Sequence, residues 1–136
     1  ELFDKFSSES GPQVTFQVYG MYRIANKETE LYIYRIIQEL LNNAIKHANA
    51  NEILIQINYL DEKMVITVED DGAGFDYDPN KYAGMGIKNI IYRIKYLKGD
   101  LTVDSSKGNG TTTVIEIPNT TLSRENRANS MTLNKF

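Results

Sequence analysis

Between Tyr34 and Ala48 the chain repeats apolar residues at the spacing of a helix, and this run limits what the rest can become. At about 100° per residue, Ile37, Leu40, Leu41, Ala44, Ile45 and Ala48 fall on one side. Glu39, Asn42, Asn43, Lys46 and His47 fall on the other. The first set is a core stripe that needs a second layer to cover it. The second gathers an acid, two amides, a lysine and the chain's only histidine on one face. That face is either the wet side of an amphipathic helix or an inventory for a metal-bound polyphosphate. In the latter case it offers a base, two neutral oxygen ligands and two phosphate donors.

The remaining bounds are loose but useful. With 136 residues, 41% of them hydrophobic, the chain has one domain's worth of sequence and enough apolar surface for a core. A net charge of −3 favours neither nucleic acid nor an anionic membrane, and basic patches interleaved with aromatics are missing. The absence of cysteine excludes disulfides and thiolate metal sites, and one histidine cannot build a histidine-rich zinc site. No apolar run approaches the roughly 20 residues of a membrane span. There is no internal repeat and no signal peptide at Glu1, where the chain reads as cut from something longer.

Taken in order, Leu2, Phe3 and Phe6 stand at helical spacing in a lead-in, residues 1–12, that reads as the end of a missing upstream helical domain. Val14, Phe16 and Val18 alternate with polar residues as a half-buried strand. The central helix is expected over Glu28 to Ala48, with Glu28 and Glu30 at its positive end and Ala50 and Asn51 closing it. Ile53, Ile55 and Ile57 mark a second strand. Asp61-Glu62-Lys63 is a tight turn into a third, Met64 to Glu69, so these two form a hairpin. A loop follows from Gly72 to Gly84. Ile87, Ile90, Ile91, Ile94 and Leu97 predict a second helix, running to Lys98 and stopped by Gly99. Leu101 to Asp104 and Thr111 to Ile117 are strands, the last ended by Pro118. Residues 119–136 read as a loose polar tail, which leaves 13–118 as the domain proper. Two helices cannot cover both faces of five strands. The predicted class is therefore α+β, a two-layer sandwich with a mostly antiparallel mixed sheet and both helices on one face. Gln56, Thr67 and Glu116 would face water.

Three glycine-bearing stretches add chemistry. The third strand ends in Asp70-Asp71-Gly72-Ala73-Gly74-Phe75, and alternation puts Asp70 on the side of Ile66 and Val68. An inward carboxylate is costly unless a donor meets it, and the exocyclic amino group of a flat heterocycle is a suitable donor. Gly72 and Gly74 would let backbone and base come close. The same residues also suit a simple turn. Gly84-Met85-Gly86-Ile87 opens a helix, where free N–H groups attract phosphate oxygens, or it is merely a flexible helix entry. Gly108-Asn109-Gly110-Thr111-Thr112 is either a hairpin turn or a way to set a threonine hydroxyl beside Asp70.

Together these stretches form a signature. Glu39…Asn43…Lys46-His47, Asp70-x-Gly72-x-Gly74, Gly84-x-Gly86 and Gly108-x-Gly110-Thr111-Thr112 resemble the ATP-binding domain of the gyrase, heat-shock chaperone, histidine kinase and mismatch-repair superfamily, the Bergerat fold. Order and spacing agree over roughly Leu31 to Pro118. The ending Gly-x-Gly-Thr-Thr…Ile-Pro and the Lys-His pair look most like sensor histidine kinases of the nitrate-sensor type. Those lack the aromatic box in the lid, and here too only Asp76 to Ala83 precede Gly84.

The resemblance implies roles residue by residue. Asn43 would ligate Mg²⁺ through its amide oxygen, and Glu39 would act as the catalytic base, polarise a water, or support the metal indirectly. Lys46 and His47 would face the phosphates. Asp70 would accept from the adenine amino group, directly and through a water held by Thr112. Gly72 and Gly74 would flank the base, and Gly84, Met85, Gly86 and Ile87 would cap the phosphates under a mobile lid. The activity implied is transfer of the ATP γ-phosphoryl group to a histidine, then to a response-regulator aspartate. The acceptor would sit on a dimerising helical hairpin N-terminal to Glu1, so this chain is expected to bind ATP without phosphorylating itself. The whole protein would be a homodimer and this domain cytoplasmic, touching neither membrane nor nucleic acid. An anti-sigma-type serine kinase and a degenerate interaction module are the rival readings.

Overall fold

The computed structural model describes residues 11–76 and 86–123. The expected lead-in, the loop beyond Asp76 with Gly84 and Met85, and the tail beyond Ser123 lie outside the described residues. The elements are β1 (Gln13–Tyr19), α1 (Lys27–Lys46), β2 (Glu52–Tyr59), β3 (Lys63–Asp70), α2 (Ile87–Tyr96), β4 (Asp100–Ser105), β5 (Thr111–Pro118) and a short α3 (Asn119–Leu122). One five-stranded sheet has the order β1-β2-β3-β5-β4. β1 runs parallel to β2, with α1 as the crossover between them, and every other pair is antiparallel.

The α+β, two-layer expectation therefore holds, and its cause is the period-2 pattern. Ile53, Ile55 and Ile57 of β2, Met64, Ile66 and Val68 of β3 and Thr113, Ile115 and Ile117 of β5 all face one way and are buried. Against them lie Ile33, Ile36, Ile37, Leu40, Leu41 and Ala44 of α1 and Ile87, Ile90 and Ile94 of α2. Outer-face residues are only half-covered, and they pair with each other. Gln56 Nε2 donates to Gln17 Oε1 at 2.7 Å, and Lys63 meets Glu116 at 3.1 Å.

Several boundaries move for physical reasons. Helix α1 starts one residue before the expected Glu28, because Asn26 caps it, its side-chain oxygen accepting from the Thr29 N–H at 2.8 Å. It stops at Lys46, short of Ala48, and Asn49 takes the left-handed conformation that lets the Ala50 N–H reach the Ala44 carbonyl at 3.1 Å. Ile45, placed with the core stripe, is 37% exposed, because it lies past the edge of the arc centred on Leu40 and Ala44. Helix α2 ends at Tyr96, and it is Lys98 rather than Gly99 that turns left-handed. The tail is not loose at its start. α3 packs Leu122 fully into the core, and Asn119 Nδ2 donates to the Leu60 and Asp61 carbonyls at 2.9 and 2.7 Å.

Candidate nucleotide site

At the C-terminal ends of α1 and β3 the two layers part into a cavity of about 200 Å³. Leu40, Ala44, Val68 and Phe75 form its apolar walls, and Asn43, His47, Asp70, Thr111 and Thr113 supply its polar groups. Asn43 lies on α1 three residues past Leu40, and His47 caps the helix end. Asp70 is the last residue of β3, and alternation from Ile66 and Val68 turns it inward as expected. Asp70 and Asn43, separate in sequence, thus open onto one space.

The Gly72 and Thr111 N–H groups both act on the Asp70 carboxylate. Its Oδ1 accepts from the Gly72 N–H at 2.8 Å. Burial pushes its pKa above the ordinary carboxylate value, the Gly72 N–H pulls it back, and the neighbouring Asp71 charge adds to the rise. Asp71 points the other way. It is fully exposed, and its Oδ1 accepts from the Glu52 and Asn51 N–H groups at 2.9 and 2.8 Å, which lowers its pKa. Two adjacent aspartates thus separate into one partly desolvated carboxylate facing a cavity and one that ties down the start of β2.

The glycines after them answer to the protein's own backbone. A Cβ on Gly72 would lie 2.5 Å from the Ala48 carbonyl oxygen, and Gly72 does not line the cavity. Gly74 has φ 67°, and a Cβ there would overlap the Ser106 carbonyl. The protein's own backbone already requires a glycine at Gly72. Its missing side chain lets the loop pass under the end of α1, where the Ala73 N–H donates to the Ala48 carbonyl at 2.8 Å. Gly74 does line the cavity. The loop is fastened on its far side by Ser105, a residue the sequence pattern does not single out. Ser105 Oγ accepts from the Phe75 N–H at 2.9 Å, donates to the Gly110 carbonyl at 3.0 Å and lies 2.8 Å from Thr111 Oγ1.

The other expected residues divide. Thr112 is corrected: β5 pairs Thr111 with Asp70 and Thr113 with Val68, so Thr112, opposite Glu69, belongs to the outer face. Thr111 and Thr113 are the threonines that line the cavity. Glu39 is half-buried outside the cavity lining, with its carboxylate against Gly86, where a Cβ would meet Oε2 at 2.5 Å. Lys46 is exposed and does not line the cavity. Ile87 is buried in the core, which leaves only its backbone for a ligand. Gly84 and Met85 lie outside the described residues. Among the described residues no three acidic or imidazole groups cluster as a ready-made metal site.

The sequence profile of the family described as histidine kinase-, DNA gyrase B- and HSP90-like ATPase matches residues 28–121, from the first turn of α1 into α3 and without β1. The chain belongs to this family. Among its ATPase relatives, the sensor histidine kinase ComP of Bacillus subtilis is 41% identical over 66% of this chain and 12% of its own length. DegS of Brevibacillus brevis, a signal transduction histidine-protein kinase/phosphatase, is 32% identical over 85% of this chain and 30% of its own. The oxygen sensor histidine kinase NreB of Staphylococcus carnosus is 28% identical, covering 85% and 34%. The chain thus spans well under half the length of each of these relatives. Among solved structures, the histidine kinase domain of the blue-light activated kinase of Erythrobacter litoralis superposes with TM-score 0.65 at 26% identity, covering 81% of this chain and 57% of that one. The ATPase fold is therefore shared with histidine kinases in both sequence and structure. No helix among the described residues is long and apolar enough to cross a membrane.

Proposed function

We propose that this chain is the ATP-binding catalytic domain of a two-component sensor histidine kinase. It would pass the ATP γ-phosphoryl group to a histidine on a separate dimerisation hairpin, for relay to a response regulator. The observation that carries the reading is the convergence of Asp70 and Asn43 on one apolar-walled cavity. The named relatives favour this reading over a serine-kinase switch, since ComP, DegS and NreB are all histidine kinases by name.

The residues fit adenine and magnesium on their own chemistry. Asp70 is partly desolvated, and the Gly72 and Thr111 N–H groups offset that only in part, so its carboxylate keeps acceptor capacity that an exocyclic amine can use. Leu40, Ala44, Val68 and Phe75 would exclude water from the faces of a base. Asn43 offers a neutral amide oxygen, a hard ligand suited to a hard cation that takes its remaining ligands from water and phosphate. His47, and Lys46 just outside, set N–H donors at the polyphosphate end. Glu39, one helical turn before Asn43, is placed to orient a water from the second layer. When bound, the nucleotide supplies the phosphoryl group and Mg²⁺ offsets its charge. The chain's own part is to position and to exclude water, within a cytoplasmic domain of a homodimeric protein.

Calorimetric titration of the purified chain with ATP and Mg²⁺ tests the site. Binding is expected, dependent on Mg²⁺, and lost in Asp70→Asn and in Asn43→Asp. Undiminished binding by both variants would sink the assignment. Phosphotransfer from labelled ATP to an added dimerisation hairpin separates a kinase from a pure binder.

A further inference from the structure

A second groove, of about 260 Å³, lies between the outer faces of α1 and α2, away from the nucleotide cavity. Leu31, Tyr32 and Arg35 border it from α1, and Asn89, Tyr92 and Arg93 from α2. On each helix the bordering residues lie within one turn, so the two sets face each other across the helix pair. Two guanidiniums in one groove stand out in a chain of net charge −3. No acidic residue lines the groove. Helix α2 itself carries Lys88, Arg93 and Lys95 and no acid. The two glutamates at the α1 start, Glu28 and Glu30, are engaged by the Tyr96 and Tyr22 hydroxyls.

Arg93 supplies an independent sign. Its Nη1 is closed off from solvent and has no hydrogen-bond partner among the described residues. A buried charged donor without an acceptor is costly and rare in a finished structure. No described residue accepts from this nitrogen, so the Arg93 charge is left without a counter-charge among the described residues. Leu31, 48% exposed, and Tyr92, 64% exposed, flank the charges with open apolar surface. A small anion would use the arginines and leave that surface wet. A peptide carrying both carboxylates and apolar side chains would use all of it.

We propose that the α1–α2 groove is a docking site for an acidic segment of a protein partner, its carboxylates paired with Arg35 and Arg93 and its apolar residues on Leu31 and Tyr92. The site stands apart from nucleotide binding and does not depend on it.

The probe is a fluorescein-labelled peptide of alternating glutamate and leucine, with the glutamine–leucine peptide as control. Anisotropy with the full chain at low salt is expected to show binding of the first and not the second. Amide NMR shifts should cluster on residues 31–35 and 89–93. Arg35→Gln and Arg93→Gln should each weaken the acidic peptide about tenfold, while ATP affinity of Arg35→Gln stays at the parent value. Arg35 is exposed, so its variant carries the test even if Arg93→Gln fails to fold. Three results would overturn the proposal: undiminished binding by Arg35→Gln, shifts centred elsewhere, or inorganic phosphate that gives the same shifts and displaces the peptide. The last would make the groove a small-anion site.

Discussion

The two ends of the nucleotide cavity are built differently. At the Asp70 end, the backbone is laced together: Gly72 to Asp70, Ala73 to Ala48, Phe75 to Ser105, Ser105 to Gly110. At the Asn43 end, the side chains of Asn43, Lys46 and His47 make no hydrogen bond or ion pair among the described residues. One end has its geometry fixed in advance, and the other has donors and acceptors left over. The lesson is a division of labour. Recognition of a flat base needs a rigid acceptor at a set position, since a misplaced hydrogen bond inverts its value. Handling a charged, flexible polyphosphate needs available ligands more than fixed ones.

The largest test exploits the fixed end. Asp70 Oδ1 is already committed to the Gly72 N–H. In Asp70→Asn the amide oxygen is expected to stay on the Gly72 N–H, which puts an NH₂ donor where the second carboxylate oxygen was an acceptor. Two donors then face each other when adenine binds, and ATP affinity should fall about a hundredfold or more. Inosine triphosphate, with a carbonyl in place of the amine, should lose less or gain. Parallel titrations of both nucleotides read this out, and equal losses would mean that Asp70 does not face the base.

Next in size is Gly74→Ala. The residue would need φ 67° and would press its methyl into the Ser106 carbonyl. A loss of about 2 kcal/mol or more in denaturant unfolding is expected. Unchanged stability would show that the laced end is less rigid than its bonds suggest. Ser105→Ala is milder, because it removes an acceptor from Phe75 and a donor from Gly110 without adding bulk. About 1 kcal/mol of stability and a three- to tenfold rise in ATP Kd should follow. If the loss were confined to stability, the Phe75 loop would be structural support and no part of recognition.

The smallest effect is a pH edge. Asp70 has its pKa raised in the folded state, so folding disfavours its charge. That unfavourable contribution is present above the raised pKa and is relieved as pH falls through it toward 3.8. Asp71, with a lowered pKa, contributes stability above 3.8 that is lost as pH falls through its folded value. On the proposed reading Asp70 is the acceptor for adenine, so affinity should drop on the acid side earlier than for an ordinary aspartate. Asp71→Asn removes the neighbouring charge and should move that edge to lower pH. A titration of Kd against pH checks the direction, and an upward move would reverse the reading.

The layers and the inward carboxylate are legible in residue spacing alone. Period 2 in Ile53–Ile57 and Ile66–Asp70, and period 3.6 in Ile37–Ala44, determine the layers and turn Asp70 inward. What escapes has a common cause, which is that it depends on contacts across the chain. Three threonines in a row carry no mark of which one faces the cavity. That is decided by the register of β5 on β3, where a slip of one residue exchanges the faces. Ser105 reads as one more polar turn residue until Phe75, thirty positions away, is seen to rest on it. Glycine spacing signals a tight loop correctly, and the partner of that tightness, Ala48, cannot be read from the loop itself.

The last short helix sets a practical limit on trimming. Any shortened version that ends at Pro118 forfeits Leu122 from the interior, the Asn119 clamp on the β2–β3 turn and the Thr121 hydroxyl bond to Leu97 at 2.9 Å. The strands would stay paired, yet the Leu97 carbonyl at the end of α2 would lose its donor and the core would lose a buried leucine. A version cut there would report on a damaged protein, whereas one retaining Ser123 keeps the closure intact.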